Sequence, residues 1–255
     1  YQTTIKHLLS KTENSVRKIT TEEMREYLSN YQKRNSCSNV TIDNVRRNIS
    51  SFFSWLEEED YILKSPMRRI HKIKTKTVVK STISDEGIEL LRDNCKEKRD
   101  LAIIDLLYST GIRVGELVNL NIEDIDLEGR ECVVYGKGDK ERRVYFDAKA
   151  KVHLKEYIET RIDDNEALFV TLDAPHDRLK ISGVEIRLRK LGRELNLERI
   201  HPHKFRRSMA TRAIDKGMPI EQVQKILGHS QIDTTMQYAM VNQNNVKSAH
   251  QKFMS

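Results

Sequence analysis

Apolar residues recur along most of this chain at the 3.6-residue spacing of an amphipathic helix, and the spacing changes clearly to two only between Glu131 and Phe146. That contrast confines the fold to a mainly α architecture with one small antiparallel sheet. Ten glycines and four prolines in 255 residues leave few places where a helix must stop. Thr20 and Glu23 stand at capping-box spacing at the start of TTEEMREYLSNYQKR, which predicts a helix over 20–34. Ile42, Val45, Ile49, Phe52, Phe53 and Leu56 keep the helical period in a second helix. SDEGIELLRDNC and DLAIIDLLYSTG follow, the latter stopping at Gly111 as a C-terminal cap would, and further helices are predicted over 147–161, 181–195, 203–216, 219–227, 231–238 and 243–253. In the period-two stretch ECVVY and ERRVYF flank GKGDK, a β-hairpin with Lys137 at its tip, and ALFVT, 167–171, reads as a further short strand.

The chain divides near residue 80. After Pro66 the segment PMRRIHKIKTKTVVK carries Arg68, Arg69, Lys72, Lys74, Lys76 and Lys80 without an amphipathic period, so it reads as an extended cationic linker, a plain tether or a strap across a phosphate backbone. A net charge of +7, from 45 Lys+Arg against 38 Asp+Glu, gives a field that attracts polyanions, although many ordinary helical proteins are as highly charged. Cys37, Cys95 and Cys132 are odd in number and far apart, which indicates neither a disulfide framework nor a cysteine zinc site and points to a reducing, intracellular setting. No apolar run approaches the ~18 residues of a membrane span. The chain begins at Tyr1 on what reads as the tail of a helix, as a fragment lacking N-terminal material would.

Several short stretches carry residues fit for chemistry. In HPHKFRRSMATRAI, His203, Arg206 and Arg207 share one helical side while Phe205, Met209, Ala213 and Ile214 form an inward stripe. A histidine and an arginine one turn apart can grip two oxygens of one phosphate; a solvated basic face is the plainer reading. Arg113 and Glu116 stand at i, i+3, where the carboxylate orients a cation or forms an ordinary surface pair. Gly136 and Gly138 let the Lys137 ammonium project from its turn, with Lys140 beside it, unless this is merely a hairpin turn. Gly228 precedes His229, and Tyr238 sits in the polar run DTTMQYAM, where burial is not required.

Together these stretches resemble the tyrosine recombinase, or phage integrase, family, whose signature is an arginine with a nearby acid, a hairpin lysine, H-x-x-R, an LGH histidine and a tyrosine nucleophile. Arg113, Glu116, Lys137, His203, Arg206, His229 and Tyr238 match it in order and spacing; Arg207 departs from it, where members often have a second histidine. The resemblance implies a two-domain DNA clamp: a helical core-binding domain over 1–75, a basic interdomain linker over 76–82 and a catalytic domain over 83–255. It implies Tyr238 as nucleophile, Arg113, Lys137, His203, Arg206 and His229 as its catalytic partners, and Glu116 in support. Arg46, Arg47, Arg68, Arg69, Lys72, Lys74, Lys76, Lys80, Lys140, Lys204 and Arg207 are the candidate DNA contacts. It further implies double-stranded DNA as partner, a homotetramer on two DNA sites, strand exchange in pairs through a Holliday junction, and a cytoplasmic bacterial, phage or mobile-element setting, most simply integration or excision of a mobile element. No metal, ATP, other cofactor or membrane is called for. The tail 241–254, with Val241, Val246 and Phe253 on an apolar face, is the candidate segment for exchange with a neighbour, or for folding back on its own domain.

The chemistry of such a set is self-consistent. Phosphoryl transfer needs an in-line nucleophile and cations around the equatorial oxygens. Arginine forks supply planar, permanently charged donors, histidines can donate to the phosphate or accept a phenol proton, and a lysine can protonate the departing 5′-oxygen. Two rival classes remain at this stage. MPIEQVQKILGHSQIDTTMQYA also reads as the helix-turn-helix of a non-catalytic DNA-binding protein, and His201, His203 and His229 invite a metal-dependent phosphodiesterase. The first leaves Arg113, Lys137 and Tyr238 without a reason; the second lacks the acidic residues or H-E-x-x-H spacing that would hold an ion.

Overall fold

In a computed structural model, which describes residues 1–12, 15–74, 81–136 and 141–239, the chain forms two compact units, 1–78 and 79–255. The first is helical: α1 (Gln2–Leu9), α2 (Thr21–Asn35) and α3 (Asn39–Glu58). The capping box that starts α2 is formed, with Thr20 Oγ1 accepting from the Glu23 amide at 3.2 Å and Glu23 Oε2 accepting from the Thr20 amide at 2.6 Å. α3 starts ahead of its first apolar position because Ser38 accepts from the Thr41 amide, an N-cap that apolar periodicity does not register. Leu8, Met24, Ile42, Ile49 and Phe53 close the core.

Residues 66–74 depart from the extended-linker expectation. Met67 enters the core, Ile70 and Ile73 pack against it, and the Ile73 amide donates to Asp43 Oδ1 at 3.0 Å. This stretch is therefore fastened to its own unit by spaced apolar side chains and one buried carboxylate. Lys76 and Lys80 lie outside the described residues.

The second unit contains α4 (Asp85–Asp93), α5 (Lys98–Thr110), α6 (Val114–Asn119), β1 (Ile125–Asp126), β2 (Glu131–Tyr135), β3 (Glu141–Tyr145), α7 (Ala148–Glu159), α8 (Ile181–Glu194), α9 (Pro202–Asp215), α10 (Ile220–Leu227) and α11 (Ile232–Ala239). α5 is the hub: Ala102, Ile103, Ile104, Leu106 and Leu107 are buried on several faces, and it packs against both α7 and α9. The sheet is antiparallel in the order β1-β2-β3. Its hairpin register pairs Cys132 with Val144 and Val134 with Arg142, which turns these four side chains to the inner face. β1, only two residues long, adds an edge that carries no readable alternation.

ALFVT does not become a strand. It makes only isolated bridges, Ala167 with Asn121 and Val170 with Arg178. Side chains take some of its backbone groups: Arg161 donates to the Ala167 carbonyl, Arg99 to the Val170 carbonyl, and the Tyr157 hydroxyl accepts from the Val170 amide, while isolated backbone bonds take the Leu168 amide and the Phe169 carbonyl. Among the described residues no helix is long and apolar enough to cross a membrane.

Candidate active site

The site is built where two helices end. Gly111, at φ +63, terminates α5, and Gly228, at φ +62, terminates α10, both left-handed caps where a side chain is strained. Such ends leave carbonyls without helical partners, and here arginines take them. Arg142 Nε donates to the Ile226 carbonyl at 3.0 Å, Arg206 Nη2 to Leu227 at 2.5 Å and Arg113 Nη2 to Gly228 at 3.0 Å. Three consecutive carbonyls at the negative end of α10 thus hold three guanidiniums, an arrangement the helix dipole favours. Arg206 Nη1 also donates to the Gly111 carbonyl at 2.7 Å, so one side chain ties the ends of α5 and α10 together.

Glu116 is the counter-charge. Only 6% exposed, it accepts from Arg142 through both oxygens at 2.7 Å, from Arg113 Nη1 at 2.8 Å and from the Arg113 amide at 2.8 Å. Burial alone would raise its pKa, but the hydrogen bonds from Arg142 and Arg113 outweigh that and hold it below the usual carboxylate range. Three guanidiniums against one carboxylate leave a surplus of two positive charges (3 − 1). Burial, with the adjacent Arg113 charge, pushes Arg206 down to about 10, so it stays cationic at neutral pH.

His229 follows Gly228 directly, and its Nδ1 lies 2.8 Å from the hydroxyl of fully buried Thr235. Burial first, then the charges of Arg206, Arg113 and Arg142, lower its pKa to about 4, which keeps the ring neutral at physiological pH. Tyr238, on α11, is half-buried beside Met209, Ala210, Val223 and Leu227, with its ring centroid 6.1 Å from that of His229. Arg206 and Arg207 both sense the Tyr238 phenol electrostatically. His203 is exposed on the first turn of α9, whose remaining turns bury Phe205 and Met209 as the inward stripe predicts. α9, α10 and α11 pack on one another, so the segment read as a helix-turn-helix also brings Tyr238 to His229.

Arg113, Glu116, Arg206, His229 and Tyr238 therefore converge, with His203 one turn from Arg206; Lys137 and Lys140 lie outside the described residues. The basic candidates separate by exposure. Arg69, Lys72 and Lys74 are exposed, Arg47 and Arg68 are exposed but paired, with Asp43 at 3.7 Å and Glu57 at 2.7 Å, and Arg207 is partly exposed. Arg46 and Lys204 differ from expectation. Arg46 is held by Asp43 at 2.8 Å. Lys204 is buried, its ammonium donating to the Glu198 carbonyl at 2.7 Å, so it anchors the start of α9 and has no face to offer a duplex. Nearby, Ser208 Oγ donates to the Lys204 carbonyl and accepts from the Ile83 amide at 2.8 Å, fixing residue 83 onto the same helix.

Arg142 is the residue that sequence reading missed. Its signal is visible afterwards in the strand alternation: period two puts it on the inward side with Val144, where an arginine needs partners. Thr235 gave no signal, because its partner is six positions away around a turn. The rival trio His201, His203 and His229 does not assemble: among the described residues no group of three or more His, Cys, Asp and Glu is arranged to hold a metal ion.

The sequence matches known proteins along its length. The phage integrase family profile matches residues 57–245, and that of the phage integrase N-terminal SAM-like domain matches residues 1–63. A tyrosine recombinase XerC of Leptospira interrogans is 31% identical over 241 residues, covering 90% of this chain and 77% of that protein, and one of Oceanobacillus iheyensis is 29% identical over 246 residues, covering 92% and 80%. Among solved structures, the XerA recombinase aligns over 99% of this chain and 89% of its own at 25% identity with a TM-score of 0.63. The Tn1549 transposon integrase, solved with a circular intermediate DNA, shares the fold over 97% of this chain and 90% of its own, at 19% identity and a TM-score of 0.79. With the family profile matching most of the sequence and the converging arginines, histidine and tyrosine already in place, the chain belongs to the phage integrase family and is a tyrosine site-specific recombinase.

Proposed function

We propose that this recombinase cuts and rejoins double-stranded DNA with Tyr238 as its nucleophile. The observation that carries the reading is the surplus of two positive charges held by Arg113, Arg142 and Arg206 against Glu116, beside the His229–Tyr238 ring pair. A phosphodiester brings one negative charge, and its transition state brings more onto the non-bridging oxygens, so the charge is answered most fully at the moment of reaction. The exposed part of Arg113 and the remaining N–H groups of Arg206 are the donors to those oxygens. His203 adds a donor from the first turn of α9.

A phenol of ordinary pKa ~10 is mostly protonated at neutral pH and needs an acceptor. His229 is neutral, and Thr235 at Nδ1 leaves Nε2 for the reaction, as acceptor of the Tyr238 proton or donor to the phosphate according to the tautomer. As the bond from the phenolic oxygen to phosphorus forms, the bond to the 5′-oxygen breaks, and Lys137 gives that oxygen a proton. The product is a 3′-phosphotyrosine bond. One phosphodiester replaces another, so a second 5′-hydroxyl can reverse the step and join new strands. A homotetramer on two sites, exchange through a Holliday junction and passage of the 241–254 tail to a neighbour complete the reading; that tail lies outside the described residues.

Single-turnover reaction with a nicked duplex in EDTA tests it. A covalent protein–DNA band is expected, whereas binding without a band returns the chain to the helix-turn-helix alternative. The biological setting read from the sequence, integration or excision of a mobile element, is tested by mapping adducts on genomic DNA: adducts at element ends support it, and adducts confined to a fixed chromosomal locus contradict it.

A further inference from the structure

We propose that Arg142, on the hairpin strand β3, is a positioning residue that locks Arg113, Glu116 and the turn bearing His229 into one closed ring of hydrogen bonds. The inference rests on the proposed roles of Arg113 and His229. The ring runs from Arg142 through both Glu116 oxygens, from Glu116 to Arg113, from Arg113 to the Gly228 carbonyl, and back along the chain to Ile226, which accepts from Arg142 Nε. It joins three elements far apart in sequence, β3, the start of α6 and the end of α10.

Two features separate holding from binding. Nε and both terminal nitrogens of Arg142 are each engaged by protein, whereas Arg206 gives only its two terminal nitrogens to carbonyls, and the Arg142 side chain is 14% exposed. Arg113, by contrast, is 38% exposed. Second, the turn is shaped around Arg142: a Cβ at Gly228 would stand 3.1 Å from Arg142 Cδ and Nε and 3.2 Å from Cζ. The absent side chain at the residue preceding His229 is thus matched to this guanidinium as well as to the left-handed backbone.

The consequence follows from lone-pair geometry. While Arg142 occupies one side of each Glu116 oxygen, Arg113 reaches only Oε1 with its side chain and keeps its second nitrogen for Gly228. Without Arg142, both oxygens open, and the Arg113 fork can turn to grip Glu116 through both nitrogens, leaving Gly228 and the reacting phosphate. Lysine retains the charge but is a point donor that cannot span two oxygens and a carbonyl.

Arg142→Lys in the full chain is the test, with melting temperature, DNA affinity and single-turnover cleavage measured on one duplex. The expected result is folded protein, affinity within about twofold of the parent and cleavage slowed about 10–100-fold, the scale of a displaced transition-state donor. The neutral pair Arg142→Gln with Glu116→Gln, which removes one charge of each sign and keeps the surplus at two, is expected to cleave at least as fast as Arg142→Gln alone. Cleavage by Arg142→Lys within about threefold of the parent, or a loss matched by lost affinity, overturns the proposal. So does failure of both Arg142→Lys and the neutral pair to fold, which would make Arg142 a stability residue. Tyr238→Phe is run alongside: an adduct there overturns the proposed nucleophile, whereas no adduct there with full-speed Arg142→Lys overturns only the ring.

Discussion

Arg206→Lys separates holding a phosphate in the transition state from attracting DNA. Arg206 is 3% exposed and spans two carbonyls, Gly111 and Leu227, with separate nitrogens. A lysine ammonium in that space can satisfy one of them. The loss is one charge-assisted hydrogen bond and one abandoned buried carbonyl, about 2 kcal/mol in all. For the second unit, residues 79–255, that corresponds to a melting temperature lower by about 4–8 °C. Such a loss from a stability of roughly 5–15 kcal/mol leaves nearly every molecule folded well below the transition. Unfolding therefore cannot account for a large kinetic defect. Cleavage is expected to fall about 10²–10³-fold, because in the proposed mechanism the planar fork is also a donor to the reacting phosphate, while affinity changes little. Arg207→Lys, one position on and partly exposed, is the control and is expected to cleave within about threefold of the parent. Thermal unfolding, binding and single-turnover cleavage at one salt concentration decide the matter. Equally mild effects at both positions would refute the reasoning, as would a cleavage loss that tracks the loss of binding.

Other perturbations are sharp enough to check. Gly111→Ala is expected to destabilise by about 1–3 kcal/mol in denaturant unfolding, since its φ is +63 and a Cβ would stand 2.5 Å from Met209 Cε; Gly115→Ala, with nothing within 4 Å inside α6, is expected to stabilise by up to ~1 kcal/mol. His229 has a folded pKa of about 4 against an ordinary 6.5, so between those values the unfolded chain takes a proton the folded chain refuses. Its contribution to stability is complete above pH 6.5 and declines as pH falls toward 4, and His229→Gln should flatten that part of the melting-temperature profile; an unchanged profile would show that His229 is not the group responsible. Alanine at exposed Lys72 and Lys74 together with Lys76 and Lys80 should weaken binding on all sequences and reduce the salt slope by about 0.9 for each phosphate no longer neutralised; an unchanged slope would mean that the segment touches no phosphate.

What was legible in the sequence was local. Thr20 and Glu23 announced the start of α2, Gly111 the end of α5, and the alternation of ECVVY and ERRVYF the hairpin, because caps and strand faces are set by neighbours a few residues away. The chemistry-bearing residues were legible as types in an order. Their environment was not. A helical wheel groups Arg206 with His203 and Arg207 on a polar side, but the carbonyls that bury it come from 95 and 21 positions away. Lys204 looked like one more cation until Glu198 folded beneath it. Residues 66–74 read as a tether because Met67, Ile70 and Ile73, although spaced every third residue, form too short a run among basic side chains to stand out and dock without forming an α-helix. Arg142 offered a faint signal, a charge on the inward register of a strand, whose partners, Glu116 and Ile226, stand 26 and 84 positions away.

The central claim is that the phenolic oxygen of Tyr238 carries the DNA between cleavage and rejoining. Adduct trapped on a nicked duplex, digested with protease and nuclease and sequenced by mass spectrometry, tests it at one atom. The account predicts a 3′-nucleotide phosphate on the peptide containing Tyr238, with no adduct from Tyr238→Phe at unchanged DNA affinity. A nucleotide on any other residue, or adduct persisting in Tyr238→Phe, would contradict it.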